Sequence, residues 1–358
     1  MDVAVSELPE SPLSAREGSS GFLIGDDFVV WGGSSGERAD EEYHDDGAAY
    51  DTVTREWRML PAPPMRAPYG HVAAANATGL AVFEAPPSSP TEDFSVSGYH
   101  LDLDLGEWQA LTPPPFTPGS GFRKDGVTVG DLMLFHASEG IYAYRPEEDT
   151  WIKEETQGEV HRVLPADHEP GRGPEGEFYS LEEYDDGLAL VHRRALDLSP
   201  ITHLPVPDSE GAMDYGILRS EEGAVYVLLR SDGEIHIMRT ADGEDGRGWE
   251  HVDTAHRSSF HTPYSTSFPD TGVMWARDGA LISASPLGIS SYEVADGEFF
   301  FHATQVDESR SCGAGSAMSP TEAGIIVWGG QSCLPETPGQ VDTGYEVALP
   351  SQGRGEGD

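Results

Sequence analysis

Five arginines stand where anion chemistry could be done. Arg16, Arg66, Arg123, Arg257 and Arg310 each fall shortly before a short apolar segment, in connections that recur along the chain. A guanidinium presents its donors in a planar fork that matches a carboxylate. Five of them converging, with His261 beside them, would make an anion-binding mouth. Arginine at a recurring position also serves as a structural hydrogen-bond donor or as the partner of an acidic neighbour, so both uses are open from the sequence.

Other reactive residue types give less. Thirteen histidines are scattered, and none forms HExxH, HxH or a His/Cys pair at ligand spacing. The densest group, His251, His256 and His261, is expected in a loop. The acidic runs Asp40–Asp46 and Asp242–Asp245 offer oxygens for Ca²⁺ but lack the DxDxDG arrangement, so they read as solvated loops. No cofactor and no metal is expected, and calcium has no positive support. No Walker loop, nucleophile elbow or GxGxxG before a helix is present, so no catalytic residue is assigned. Cys312 and Cys333 are the only cysteines. They flank a hairpin turning near Thr321, where a disulfide would staple its open end; two buried free thiols, or a metal or catalytic role, are the alternatives.

The elements that must position these residues repeat. A turn ending in glycine, followed by a short apolar strand, recurs at Gly25, Gly79, Gly130, Gly187, Gly223, Gly279 and Gly324, at spacings of 54, 51, 57, 36, 56 and 45. Hairpin turns that require a positive φ explain the glycine. A second signature follows several of these strands: Tyr50, Tyr99, Tyr144 and Tyr292 each open a strand, an acidic turn and a strand begun by Trp57, Trp108, Trp151 or Phe299. Leu-Pro pairs such as Leu60-Pro61 and Leu204-Pro205 end the last strand, because proline cannot donate to a ladder. Four short strands per unit, repeated with no helical period, predict an all-β, seven-bladed β-propeller.

The segments VVWGG, AAYDTVTREW and IIVWGG resemble the kelch repeat, with its Gly-Gly doublet, a tyrosine, and a tryptophan about seven residues on. The resemblance covers nearly the whole chain, is weak in the fourth and fifth units, and implies one propeller domain over residues 1–349. Residues 350–358 are expected to be a disordered tail. The opening segment DVAVSELPESPLSAR matches REWRMLPAPPMRAP, with Leu8-Pro9 for Leu60-Pro61 and Arg16 for Arg66. The N-terminal strand is therefore expected to complete the last blade and close the ring, which removes an open edge. Galactose-oxidase-like propellers carry a copper site with a Cys–Tyr cross-link; here both cysteines sit in the last unit, away from the early aromatic positions. The resemblance is to the repeat and not to that site.

Charge narrows the partners. With 63 acidic and 21 basic side chains the formal charge is −42 over 358 residues, which repels nucleic acid and anionic membrane surfaces. No apolar stretch is long enough to insert in a membrane. The start MDVAVSELPE has neither a basic n-region nor an apolar h-region. An exported location, periplasmic or extracellular with its leader absent from this chain, fits the acidity and a cysteine pair; the cytoplasm of a halophile is the alternative. The expected role is a monomeric binding or scaffold module for a protein or a glycan. It would act through the face bearing the long loops Gly33–Gly47, Glu154–Glu177 and Asp253–Ser265. The alternative is a small-molecule enzyme at the channel mouth. Sialic-acid mutarotases also resemble kelch propellers, which points that alternative to sugar or sugar-acid chemistry.

Overall fold

A computed structural model describes residues 4–36, 41–65, 71–84, 96–115, 126–137, 140–165, 176–207, 209, 214–219, 224–231, 234–243, 246–256, 273–277, 280–285, 288–293, 298–303, 315–321, 323–332 and 339–348. All elements among them are strands. The chain opens with β1 (Ala4–Glu7), β2 (Ser20–Ile24) and β3 (Asp27–Trp31). The two-residue strands β4 (Ser34–Ser35) and β5 (Glu42–Tyr43) precede β6 (Gly47–Asp51) and β7 (Glu56–Met59). Next come β8 (His71–Ala75), β9 (Gly79–Glu84), β10 (Gly98–Asp102) and β11 (Glu107–Ala110), then β12 (Val127–Val129), β13 (Leu132–Ala137), β14 (Gly140–Arg145) and β15 (Thr150–Glu155). β16 (Glu159–Pro165), β17 (Glu177–Tyr184), β18 (Gly187–Arg194) and β19 (Pro200–Pro205) follow, with β20 (Asp214–Arg219), β21 (Val225–Ser231), β22 (Glu234–Gly243) and β23 (Gly246–His256) after them. The last are β24 (Val273–Arg277), β25 (Ala280–Ser285), β26 (Gly288–Glu293), β27 (Glu298–Ala303), β28 (Ala317–Pro320), β29 (Gly324–Trp328) and β30 (Gly344–Ala348).

These strands assemble into seven four-stranded antiparallel sheets and the β4–β5 ribbon, counted among the described residues. Each sheet uses consecutive strands, except β2-β3-β6-β7, which the β4–β5 ribbon interrupts, and the one ordered β1-β30-β29-β28. There β1 pairs with β30 from Ala4↔Ala348 to Glu7↔Tyr345, and Leu8 N extends the ladder to Gly344 O at 2.9 Å. The first strands neighbour one another in the order β2, β8, β12, β16, β20, β24, β28, and β28 lies beside β2. Sheets standing side by side around a common centre make a β-propeller.

The core lies between sheets. Second strands such as FVVW in β3 and IIVW in β29 are buried on both faces, while outer strands β1, β7 and β11 are largely exposed. Each gap holds an apolar cluster. Phe28, Val30 and Tyr50 of the first sheet meet Ile326, Trp328 and Leu8 of the last. Outer-strand tryptophans also reach across: Nε1 of Trp57 donates to Pro9 O at 3.1 Å, that of Trp108 to Pro61 O at 2.9 Å, and that of Trp151 to Thr112 O at 2.9 Å. In each case the acceptor lies two residues beyond the outer strand of the preceding sheet. The correspondence of Leu8-Pro9 with Leu60-Pro61 thus has a direct contact behind it.

Several sequence expectations change. Trp57 and Trp151 lie opposite Tyr50 and Tyr144, but Trp108 lies opposite Leu101, and Tyr99 is opposite Ala110. Leu101 therefore takes the tyrosine place in the second sheet; the seven-residue separation across the turn holds, and the residue type does not. Among the turn glycines, Gly25, Gly130 and Gly187 have positive φ. Gly79 and Gly324 do not, and they are small for another reason. A Cβ there would sit 2.0 Å from Leu101 O and 1.9 Å from Val347 O.

Gly187 opens β18, the third strand of the fourth sheet, whereas Gly25, Gly79, Gly130 and Gly324 open second strands or stand just before them, and Gly223 and Gly279 lie outside the described residues. The residue that precedes β17 is Gly176. Using it, the spacings of 57 and 36 become 46 and 47, so this unit is a full four-stranded sheet displaced by one strand from the sequence alignment. Glu154–Glu177, expected as one loop, contains the inner strand β16. Asp253–His256 belongs to β23, so His251 is on a strand and its Nε2 meets Thr254 Oγ1 at 3.0 Å.

Candidate functional site

One face of the propeller carries the connections from second to third strands and from each outer strand to the next sheet. Where the last sheet meets the first, that face holds a dense polar network. Its floor is the pair of Gly-Gly doublets. Gly32 and Gly33 have φ of 65° and 98°, and Gly329 and Gly330 have 70° and 96°, a left-handed turn that favours glycine. The two are built alike. Ser19 Oγ donates to Gly32 O at 2.9 Å and Ser316 Oγ to Gly329 O at 2.9 Å. Close approach adds a second constraint, since a Cβ on Gly32 would lie 2.1 Å from the His71 ring, and one on Gly329 would lie 3.1 Å from Arg16 O.

Arg16 crosses this junction. Its main-chain carbonyl accepts from Gly330 N at 2.8 Å. Its guanidinium donates to Ser14 O at 3.0 Å, Ser14 Oγ at 2.9 Å and Gly32 O at 3.4 Å, and forms an ion pair with Asp46. The side chain is 1% exposed while that of Asp46 is 42% exposed. Of the two uses open from the sequence, these contacts of Arg16 are those of a structural hydrogen-bond donor paired with an acidic neighbour. Arg66, Arg123, Arg257, His261 and Arg310, and both Cys312 and Cys333, lie outside the described residues.

Around Arg16 the sequence-distant partners come together. Glu17 pairs through its main chain with Ser34 at 2.9 and 2.7 Å. Its carboxylate accepts from the amides of Gln331 and Gln340. Gln340 also reaches Gly36 O at 3.2 Å, linking the third-strand approaches of the last and first sheets. His44 Nε2 meets Ser35 Oγ at 2.8 Å across the β4–β5 ribbon. Burial, helped by the nearby Arg16 charge, holds the His44 imidazole below its ordinary pKa against the pull of Asp46, Glu42 and Asp45, which favours the neutral ring. Nearer the centre, Ser20 Oγ and His71 Nε2 are 3.1 Å apart on neighbouring inner strands.

The ribbon held by these contacts presents Glu42 and Tyr43 outward. Tyr43 is 37% exposed, with its hydroxyl donating to Glu41 at 3.1 Å. Among the described residues no group of three or more His, Cys, Asp or Glu is arranged to hold a metal ion, and no helix is long and apolar enough to cross a membrane.

Sequence reasoning placed Arg16 at a blade junction and missed Asp46, Glu17, Gln331 and Gln340 as its surroundings. Asp46 stood within the run weighed for Ca²⁺, and its main-chain carbonyl accepts from Gly32 N of the doublet at 2.9 Å. No protein-family model matches the chain, and no curated protein is detectably similar to it.

Proposed function

We propose that the protein is a binding module for a protein or a glycan, acting through the face that carries the β4–β5 ribbon. The finer architecture is part of the same reading: a seven-bladed kelch-type ring, closed by β1 as the outer strand of the last blade, supported by the β1–β30 pairing and the Trp57–Pro9 contact. An exported location and a Cys312–Cys333 bond belong to it as well. The function itself is argued from the site, because the fold hosts many activities.

The observation that carries it is the division of labour around Arg16. Charged and polar groups around the ribbon are committed to one another, while Tyr43, opposite Ser34 at the base of the ribbon, is left exposed. A rigid base under an exposed tyrosine suits recognition, where rigid aromatics contribute much of the contact energy. Glycan-array binding, with a thermal-shift screen of sugars and sugar acids run with and without Ca²⁺ and Cu²⁺, tests the reading. Binding to a glycan or a defined protein that is lost in Tyr43→Ala at unchanged melting temperature is the expected result. Turnover of a sugar acid, seen as accelerated anomer exchange by NMR, would overturn it in favour of the enzyme.

A further inference from the structure

The opposite face, which carries the turns between first and second and between third and fourth strands, has a groove of about 480 Å³ between the last sheet and the first. One wall is β1 with the end of β30; the other is formed by Leu23, Asp26 and Thr52. Register explains why space is left here. Aligning the last sheet on the first through Trp328 and Trp31 puts Gly324, Ala348, Ala4 and Ser6 where the first sheet has Asp27, Asp51, Glu56 and Arg58. In the first sheet Arg58 and Asp27 bridge that corner at 2.6 Å. The last sheet has the smallest side chains at all four places, and Gly324 cannot be larger.

The lining has a definite chemistry. Val5, Leu23, Ile325 and Val347 make it apolar, and among the described residues its ionisable lining is the carboxylates Asp26 and Glu346. Glu346 is held by the Ser6 hydroxyl at 3.2 Å and by Arg55 at the rim at 3.2 Å; Asp26 stands exposed. Next to Thr52 in the same turn, Val53 is 71% exposed, and Leu23 is 36% exposed. β1 is the edge strand of its sheet, and an edge offers main-chain groups to an added extended segment.

We propose that this groove binds an extended cationic polypeptide, seating an apolar side chain between β1 and Leu23 and a lysine or arginine beside Asp26 and Glu346. Charge selects this occupant. A second copy of a chain with formal charge −42, or any anionic partner, is repelled from a slot whose ionisable lining is acidic. The site is separate from the ribbon face and independent of what that face binds.

Fluorescence anisotropy on the full chain tests it, with three labelled octapeptides alternating Leu with Lys, Leu with Glu, and Ser with Lys. The Leu/Lys peptide is expected to bind saturably. Ser6→Trp, which fills the groove from an exposed position, and Asp26→Lys, which reverses its charge in an exposed turn, should each weaken it about tenfold or more. If Ser6→Trp perturbs folding, Asp26→Lys still decides. Equal binding of the Ser/Lys peptide would reveal only general attraction to an acidic surface and overturn the proposal. So would equal binding of the Leu/Glu peptide, or Leu/Lys binding indifferent to both substitutions. Self-association in sedimentation that Ser6→Trp abolishes would assign the groove to a second copy and overturn it too.

Discussion

Arg16 is a charge taken out of water and compensated in place. With 1% of its side chain exposed, the guanidinium depends on Asp46, two carbonyls and a serine hydroxyl for what solvent would otherwise supply. Removing Asp46 should therefore cost more than its own half-exposed position suggests. Asp46→Ala is expected to lower the unfolding free energy by about 3 kcal/mol, the scale for leaving a buried charge without its partner, read from denaturant midpoints. Asp46→Glu should recover part of that. The position of Arg16 was legible because it recurs before inner strands. Its partner was not, since Asp46 is thirty residues on and becomes a neighbour only when Gly32 and Gly33 turn the chain back.

At the scale of elements, the outer strands are tied to the preceding sheet by an indole. The donor matters as well as the ring, and the fifth sheet supplies the contrast. Trp249 packs against the clusters between the fourth and fifth sheets, yet its buried Nε1 has no hydrogen-bond partner among the described residues. Trp57→Phe should destabilise by about 1 kcal/mol beyond any packing change, the worth of one hydrogen bond. Trp249→Phe should cost little or nothing, because it removes a buried donor that is already unsatisfied. Urea melts of the two variants give the comparison, and equal losses would show that the cross-sheet bond contributes nothing. The tryptophan–Leu-Pro rhythm was legible as punctuation in the sequence; that one punctuates the other across a gap was not. The fourth sheet was misaligned because its Asp185–Gly187 turn copies the glycine signature between the wrong pair of strands. Its inner strand β16 has a bulge between Val160 and Arg162 and polar residues at His161 and Arg162, so its sequence reads as part of a loop.

For the whole molecule, the architecture joins residues at the two ends of the chain. β1 pairs with β30, Pro9 receives Trp57, and Arg55 reaches both Glu346 and Glu7 O. Both candidate surfaces rest on this junction: the polar face is built from Arg16, Glu17 and the last doublet, and the groove uses β1 as its wall. The strand count per unit and the end-to-end correspondence were readable from repetition. Which surfaces that junction creates was not, since they arise from side chains at Ser6, Asp46 and Gln340 that follow no repeat. The proposed closed ring is tested most directly by melting two truncated chains, one lacking residues 1–10 and one lacking residues 350–358. The account predicts a large fall in melting temperature for the first and almost none for the second; equal melting temperatures would contradict it.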